Sequence, residues 1–514
     1  MSTSFNRRRF VRGTLTAGAL AGLGDFSFLN RLPAVGAAEA ALSPSAVRFG
    51  PEVEPLVRLI EETPREKLLE AAVGKVREGV GYQRLLSAVF LAGVRNIQPR
   101  PVGFEFHCVL AVHSAHLAAL AAADADRWLA LFWALDEFKQ SQAIKQKKGA
   151  WTLPLLEEAK LPSAERARKD FVEAMDGWDE EGADRATAAL VRSAGADEIF
   201  ELFVRYGARD FRDIGHKAIY VANATRTLNT IGWRHAEPVM RSVAFALLAH
   251  EGSGNPAKAD LGPDRPWREN LKRAGKIRDG WRRGKVTPGA AADLLAAQRT
   301  ASPAEASDQV VELLNREVDP ASVWDGLFLT AGELLMRKPG IITLHCSTTT
   351  NALHYAFQTS GDDETRRLSM LQAAAFAVMF RQAAGLGDPG RDGLKIDALE
   401  KADPKADGAA AVEEIFADVS KDRTAAARKA LALLDGGPAG VEALTAAGRR
   451  LVFNKGRDAH DYKFSSAVFE DVYHLTPPWR PRFLASSLFW LHGAGDRDND
   501  LIVQARAALA KGAG

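Results

Sequence analysis

Apolar residues return every three or four positions along nearly the whole chain, from residue 52 to residue 509. That spacing lines one face of an α-helix, and segments that alternate apolar and polar residues as a half-buried strand would are nearly absent. The pattern starts in 52–62, 64–78 and 82–97, with Thr63-Pro64 supplying a good helix start. Pro99-Arg100-Pro101 then interrupts the chain. An apolar run at 104–119 predicts a buried helix, and 126–145 is an amphipathic helix suited to pack back on it. The spacing continues through 163–175, 183–193 and 196–206, then through 288–299, 303–317, 320–336, 342–358 and 364–384. It closes with 424–434, 441–453, 460–473, 481–491 and 500–509. The predicted fold class is all-α, a multi-helical array.

The stretch 252–266 is rich in Gly, Pro and Asp and marks a break between two halves, while 402–408 reads as a surface loop. The 514 residues suffice for a large core, and a hydrophobic content of 46% with 26% charged residues fits a globular protein. A net charge of +2 gives no reason to expect nucleic acid or an acidic membrane surface as partner. Near the start, Arg7-Arg8-Arg9-Phe10-Val11 resembles a twin-arginine export motif. A weakly apolar stretch and small-residue cleavage options follow it, so residues 1–40 are expected to be a signal peptide and 41–514 an all-helical catalytic domain. This predicts a partnership with the twin-arginine translocation machinery and a periplasmic location. That route carries folded proteins, often with a cofactor loaded. No later apolar run is long enough to span a bilayer.

Histidine carries the chemical signal. Three of the eleven histidines, His107, His113 and His116, fall in the run 104–119. At about 100° per residue His113 and His116 share a helix face, whereas His107 and His116 point nearly opposite ways. A same-face imidazole pair on a buried helix can begin a metal site, or can be two core histidines bonded to backbone and carboxylates. Three further stretches set histidine among helical residues, around His216, His345 and His460. Imidazole suits iron, zinc, copper or nickel, and no dense carboxylate cluster points to calcium or magnesium. His460 and Lys463 share a helix face, about 60° apart. An ammonium beside a divalent cation is repelled, so Lys463 points away, is neutral, or is modified to a carbamate. Glu105, Asp136, Glu137 and Asp213 are carboxylates able to orient imidazoles, and His235 suits a supporting role.

The two cysteines, Cys108 and Cys346, each follow a histidine, and no CxxC pattern exists. The pair could bridge in an oxidising compartment, although small buried hydrophobes need no such role. One internal echo appears: HCVLAVHSAH at 107–116 and HCSTTTNALH at 345–354 both open with His-Cys and return to His nine positions on. Walker A, GxSxG, HExxH and the dinucleotide fingerprint are absent, as are the paired Glu-x-x-His motifs of di-iron bundles.

The order of these stretches resembles the questin oxidase-like family, all-helical proteins associated with oxidative cleavage of aromatic polyketide rings. His113-x-x-His116 is similar to that family's early histidine motif, and His216-Lys217-Ala218-Ile219 to its middle one, with Tyr220 where a second histidine is expected. Leu344-His345-Cys346-Ser347-Thr348 and His460-x-x-Lys463 resemble the two later motifs. The resemblance implies an oxygenase acting on an aromatic or polycyclic small-molecule substrate through non-haem iron. Helices would converge on a histidine-lined site with His113, His116, His216, His345, His460 and Lys463 as candidate ligands, and Trp128, Trp133 and Trp233 as candidate pocket walls. A zinc-dependent hydrolase needs the same imidazoles. A non-catalytic helical binding protein would hold no stoichiometric metal.

Overall fold

A computed structural model describes residues 47–252, 254–387 and 393–510, so the arginine pair and the expected leader lie outside the described residues. Within them the regular structure is helical, with no strand; an isolated bridge joins Lys285 and Val318. The first helices are α1 (Glu54–Glu62), α2 (Arg65–Arg77), α3 (Tyr82–Asn96), α4 (His107–Leu110), α5 (Val112–Leu120) and α6 (Arg127–Lys148). They are followed by α7 (Ala164–Gly177), α8 (Glu180–Ser193), α9 (Ala196–Gly207), α10 (His216–Ile231) and α11 (Ala236–Leu247). The second half holds α12 (Arg265–Ala274), α13 (Pro288–Gln298), α14 (Pro303–Asn315), α15 (Pro320–Arg337), α16 (Ile341–Thr359) and α17 (Asp363–Ala383). The last are α18 (Gly408–Val419), α19 (Arg423–Asp435), α20 (Pro438–Lys455), α21 (Ala459–Asp471), α22 (Arg480–Ser487) and α23 (Asp500–Ala510). Among the described residues no helix is long and apolar enough to cross a membrane.

Helix starts follow local chemistry. Proline occupies the first turn of α13, α14 and α15, where its missing N–H leaves no partner unsatisfied. Ser302 and Glu305 add a reciprocal capping box to α14, and Asp362 caps α17 through the backbone N–H of Thr365. Helices α10, α11, α12 and α18 lie outside the spans read from apolar spacing. The buried face of α12 is largely polar: Asn270 donates to Gln372 at 2.8 Å and Arg273 pairs with Asp308 at 2.7 Å. In α18 the helical set Ala411, Val412, Ile415, Phe416 and Val419 directly follows the loop 402–408, which obscures its beginning.

The expected single helix over 104–119 is broken. A 3₁₀ turn, Phe104–Phe106, leads into α4, and a further turn at Ala111 separates α4 from α5. Phe106 is fully buried and meets the Tyr220 ring edge-on at 4.8 Å. That burial contributes roughly 1.5–3 kcal/mol and pins the turn just before His107.

The apolar core forms two clusters. One is built mainly from α1 to α11 and includes Phe90, Phe106, Phe132 and Phe171. The other is built mainly from α12 to α22 and includes Trp281, Trp324, Phe376 and Phe483. Four helices serve both, and one of them, α20, gives Phe453 to the first cluster and Leu444 to the second. Helix α10 gives Tyr220 and Val221 to the first cluster and Ile219 and Ala222 to the second. Helix α16 gives Ala356 to the first and Leu344 and Leu353 to the second, and α21 divides Tyr462 and Phe464 in the same way. The other three, α10, α16 and α21, each carry one of the histidines expected in the site.

Candidate metal centre

His107 and His216 are held by the same local device. Each follows a 3₁₀ turn and opens an α-helix. Each ring bonds through Nδ1 to the carbonyl three residues back: Phe104 at 2.8 Å for His107, and Asp213 for His216. In both turns that third residue has a left-handed backbone, φ 51° at Phe104 and φ 50° at Asp213. The turn before His216 is the tighter, since Ile214 (φ 45°) and Gly215 (φ 79°) follow in the same region. A β-branched residue there costs of order 1–3 kcal/mol and persists only where its surroundings impose it. Those surroundings are buried ion pairs. Asp210 accepts from Lys217 at 2.8 Å and pairs with Arg212 at 3.2 Å, and Arg212 also pairs with Asp264.

His345 lies one turn into α16, and its Nδ1 bonds to the Ile341 carbonyl at 2.6 Å. His460 lies in the first turn of α21. Asp458 caps that helix in a reciprocal box with Asp461 and also stands 3.3 Å from Nδ1 of His460. A carboxylate behind an imidazole fixes the ring's orientation and raises its basicity as a ligand. Of the carboxylates considered from the sequence, Glu105 pairs with Lys148 and Asp136 with Arg65, while Asp213 acts through its backbone carbonyl. Asp458 takes the orienting role instead.

With Nδ1 committed as donor, the Nε2 atoms of His107, His216 and His345 carry lone pairs, and these converge. Nε2 of His216 lies 2.9 Å from Nε2 of His107 and 2.9 Å from Nε2 of His345. All three ligand atoms fall within 4.8 Å of one another, in fully buried surroundings. Burial, reinforced by neighbouring imidazoles and Lys463, holds all three rings well below their usual pKa. They are therefore neutral, and no proton is available to turn these contacts into hydrogen bonds. The His460 ring adjoins this set, 4.5 Å from the His107 ring and 5.1 Å from the His345 ring between centroids. Its Nε2 is buried without a partner. Three neutral imidazoles with their lone pairs turned inward, and the ring of His460 beside them, are a donor set for a transition-metal cation, and they leave the identity of that metal open.

Lys463 stands at the edge of this set. Its Nζ lies 3.4 Å from Nε2 of His345 and 3.5 Å from Nε2 of His216, beyond the usual hydrogen-bond range of about 2.7–3.2 Å. Burial pushes its ammonium down to about 7, so the neutral amine is accessible near neutral pH.

The structure brings His216, His345, His460 and Lys463 together, but not His113 and His116. His116 sits one helix turn further on in α5, with Nδ1 3.2 Å from the Tyr82 hydroxyl. His113 is buried with no partner at Nδ1 and lines a small chamber of about 20 Å³ that Lys463 also borders. His107 takes the place expected of His116. His107 and His116 face different neighbours, as their nearly opposite angular positions predict, and helical hydrogen bonding runs on through Ala111, whose N–H donates to the His107 carbonyl and whose carbonyl accepts from Ala115. The His-Cys echo was the available signal: its first histidines, His107 and His345, are both in the cluster. The thiols that follow them, Cys108 and Cys346, are free and buried, and burial pushes the Cys346 thiol up to about 12.

The three tryptophans do not line the chamber. Trp133 stacks on Tyr462 with ring centroids 3.9 Å apart and forms part of a separate cleft of about 650 Å³. Trp128 packs on Tyr82 and Phe132, and Trp233 is a half-buried part of the first cluster. His235 is buried beside Arg234, whose Nε donates to it at 3.1 Å. No protein-family model, curated protein or solved structure matches the chain.

Proposed function

We infer that the chain is a metal-dependent oxidoreductase, an oxygenase whose mononuclear non-haem iron is held by His107, His216, His345 and His460. The observation that carries this reading is the convergence of three buried Nε2 lone pairs whose Nδ1 partners are already fixed. Such an arrangement is repulsive on its own and favourable around a cation. Iron bound there supplies the accessible oxidation states that oxygenation of a carbon framework by O₂ requires.

The protein's own part is positioning and exclusion of water. Backbone carbonyls and Asp458 hold the rings, and the apolar faces of α4, α10, α16 and α21 keep bulk solvent away. Lys463 can hold or release a proton at Nζ beside the imidazole nitrogens. The substrate side is the chamber next to Lys463, where only Leu117, Ser466 and Glu470 among its walls are more than slightly exposed. Arg226 and Glu470, joined at 2.8 Å, border that chamber. The substrate class, an aromatic or polycyclic small molecule, follows from the questin oxidase-like resemblance. The arginine motif at residues 7–9 supports export by the twin-arginine route to the periplasm, with the metal loaded beforehand.

The test is oxygen uptake by iron-loaded protein against a panel of aromatic substrates, beside His345→Ala. Uptake that tracks product formation and disappears in the variant supports the oxygenase. Three histidines with an open position also suit catalytic zinc, so zinc as the resident metal with no oxygen uptake would redirect the assignment to a hydrolase.

A further inference from the structure

Trp133 and Tyr462 stack with ring centroids 3.9 Å apart and planes 20° from parallel, so their π-faces overlap closely. The pair joins two places. Trp133, on α6, forms part of the wall of the cleft of about 650 Å³. Tyr462, fully buried on α21, lies two residues after His460. On a helix those two residues point to nearly opposite faces, about 200° apart, with about 5 Å between their Cα atoms. The His460 ring adjoins the imidazole cluster, and the Tyr462 ring meets Trp133. Less than one helix turn and two stacked rings therefore separate the cleft from the centre. Among the described residues the Tyr462 hydroxyl is buried without a partner, and burial pushes the phenol up. With no base in reach it cannot shed a proton on oxidation, so its ring can pass an electron on but not hold the vacancy.

The cleft has the size of a small-molecule site. Leu69, Phe132 and Leu501 give it apolar walls beside Trp133. Charged side chains of both signs also line it. Arg65 pairs with Asp136 at 2.6 Å and Arg497 with Asp500 at 2.8 Å, while Arg457, Glu66 and Glu70 add to both signs. Such a lining suits a neutral aromatic ring, whose hydroxyls both donate and accept hydrogen bonds, better than it suits an ion.

We propose that this cleft is an electron-donor site for a hydroquinone-type ring, and that the Trp133–Tyr462 stack carries its electrons to the histidine centre. The reaction is the return of ferric iron to the ferrous state. Each hydroquinone loses two electrons and two hydroxyl protons and leaves as a quinone. The electrons reduce two ferric centres, one after the other, and the protons go to water. No bond forms between the donor and the metal. Electrons supplied through α21 leave the chamber beside Lys463 free for substrate. This proposal rests on the metal-centre reading above.

The experiment uses full-length protein loaded with Fe(III) and kept free of oxygen. Naphthohydroquinone is the donor, and loss of the ferric EPR signal reports reduction. Its dimethyl ether, which keeps the ring but has no oxidisable hydroxyl, is the competitor, and calorimetry measures its binding to metal-free protein. The expected result for wild-type protein is a reduction rate that saturates with donor and falls as competitor is added. Leu69→Arg fills the cleft without touching the stack, and should lose both competitor binding and saturation while keeping its iron. Trp133→Leu should keep iron and lose the rate, and Trp133→Phe should restore it by returning an aromatic face to Tyr462. A rate that rises linearly with donor, ignores the competitor and is unchanged in Leu69→Arg would overturn the proposal and leave the metal centre intact. Wild-type protein that retains no iron would overturn the metal-centre reading and the electron route with it. Saturation and competition are read on wild-type protein, so the answer does not depend on any variant folding.

Discussion

Nε2 of His216 lies 2.9 Å from Nε2 of His345, and neither ring has a proton to place between them. Each Nδ1 is engaged with a backbone carbonyl, and burial keeps both rings neutral. Two lone pairs at that distance repel unless a cation lies against both. The same holds between His216 and His107, which ties α4, α10 and α16 to one centre.

The first prediction separates His107 from the histidines that share its segment. His107→Ala should lose stoichiometric metal after dialysis, because it removes an inward-facing Nε2. His116→Ala should retain the metal, because its nearest polar partner is Tyr82. Elemental analysis of the two variants decides the matter, and the reverse result would restore the early histidine pair as the ligand site.

Asp458 combines two roles that substitution can separate. Asn is as good a helix cap as Asp, so Asp458→Asn should leave the melting temperature nearly unchanged. It removes the negative charge behind His460 and should weaken metal binding by about tenfold. A competition titration against a chelator measures this, beside a thermal melt.

Gly215 is required twice over, by its left-handed φ of 79° and by space: an added Cβ would lie 2.1 Å from Oγ1 of Thr349. Gly215→Ala should destabilise the fold by about 3 kcal/mol and displace His216, which follows it. Urea denaturation of the metal-free protein reads the first effect, and reduced metal affinity reads the second.

The histidines also set a pH dependence. His107, His113, His216, His345 and His354 are all held well below the ordinary 6.5 by burial. Below pH 6.5 the unfolded chain binds protons that the native chain refuses, so stability is lost as pH falls from there toward the native values. The slope is about 1.4 kcal/mol per pH unit for each such histidine. Buried Glu61, Glu137, Asp213, Asp325 and Asp471, whose carboxyls are pushed up, act in the opposite sense, while His116, His235 and His474, also held down by burial, add to the five. Metal-free protein should therefore melt at lower temperature at pH 5.5 than at pH 7, and metal should be released over the same window.

The all-α class was legible because three- and four-residue spacing runs through the chain, and proline at helix starts fixed boundaries such as Pro288, Pro303 and Pro320. Helix α12 was not legible, since Asn270 and Arg273 bury polar groups through specific partners that hydropathy does not register. The site was half legible. His216, His345, His460 and Lys463 stand out as histidine-bearing helical stretches, whereas His107 was passed over for the same-face pair His113 and His116, although the angular arithmetic correctly sets it apart from His116. The left-handed residues at Phe104 and Asp213 that aim His107 and His216 leave no trace in a hydrophobic pattern.

The central claim is that these histidines hold one metal ion. The most direct measurement is the metal content of wild-type protein purified without chelator or added metal, with His216→Ala processed in parallel. About one transition-metal ion per wild-type chain, and none in the variant, is the predicted result. Wild-type protein that holds no metal, even after anaerobic loading with Fe(II), would contradict the account and leave a helical protein with a buried histidine cluster.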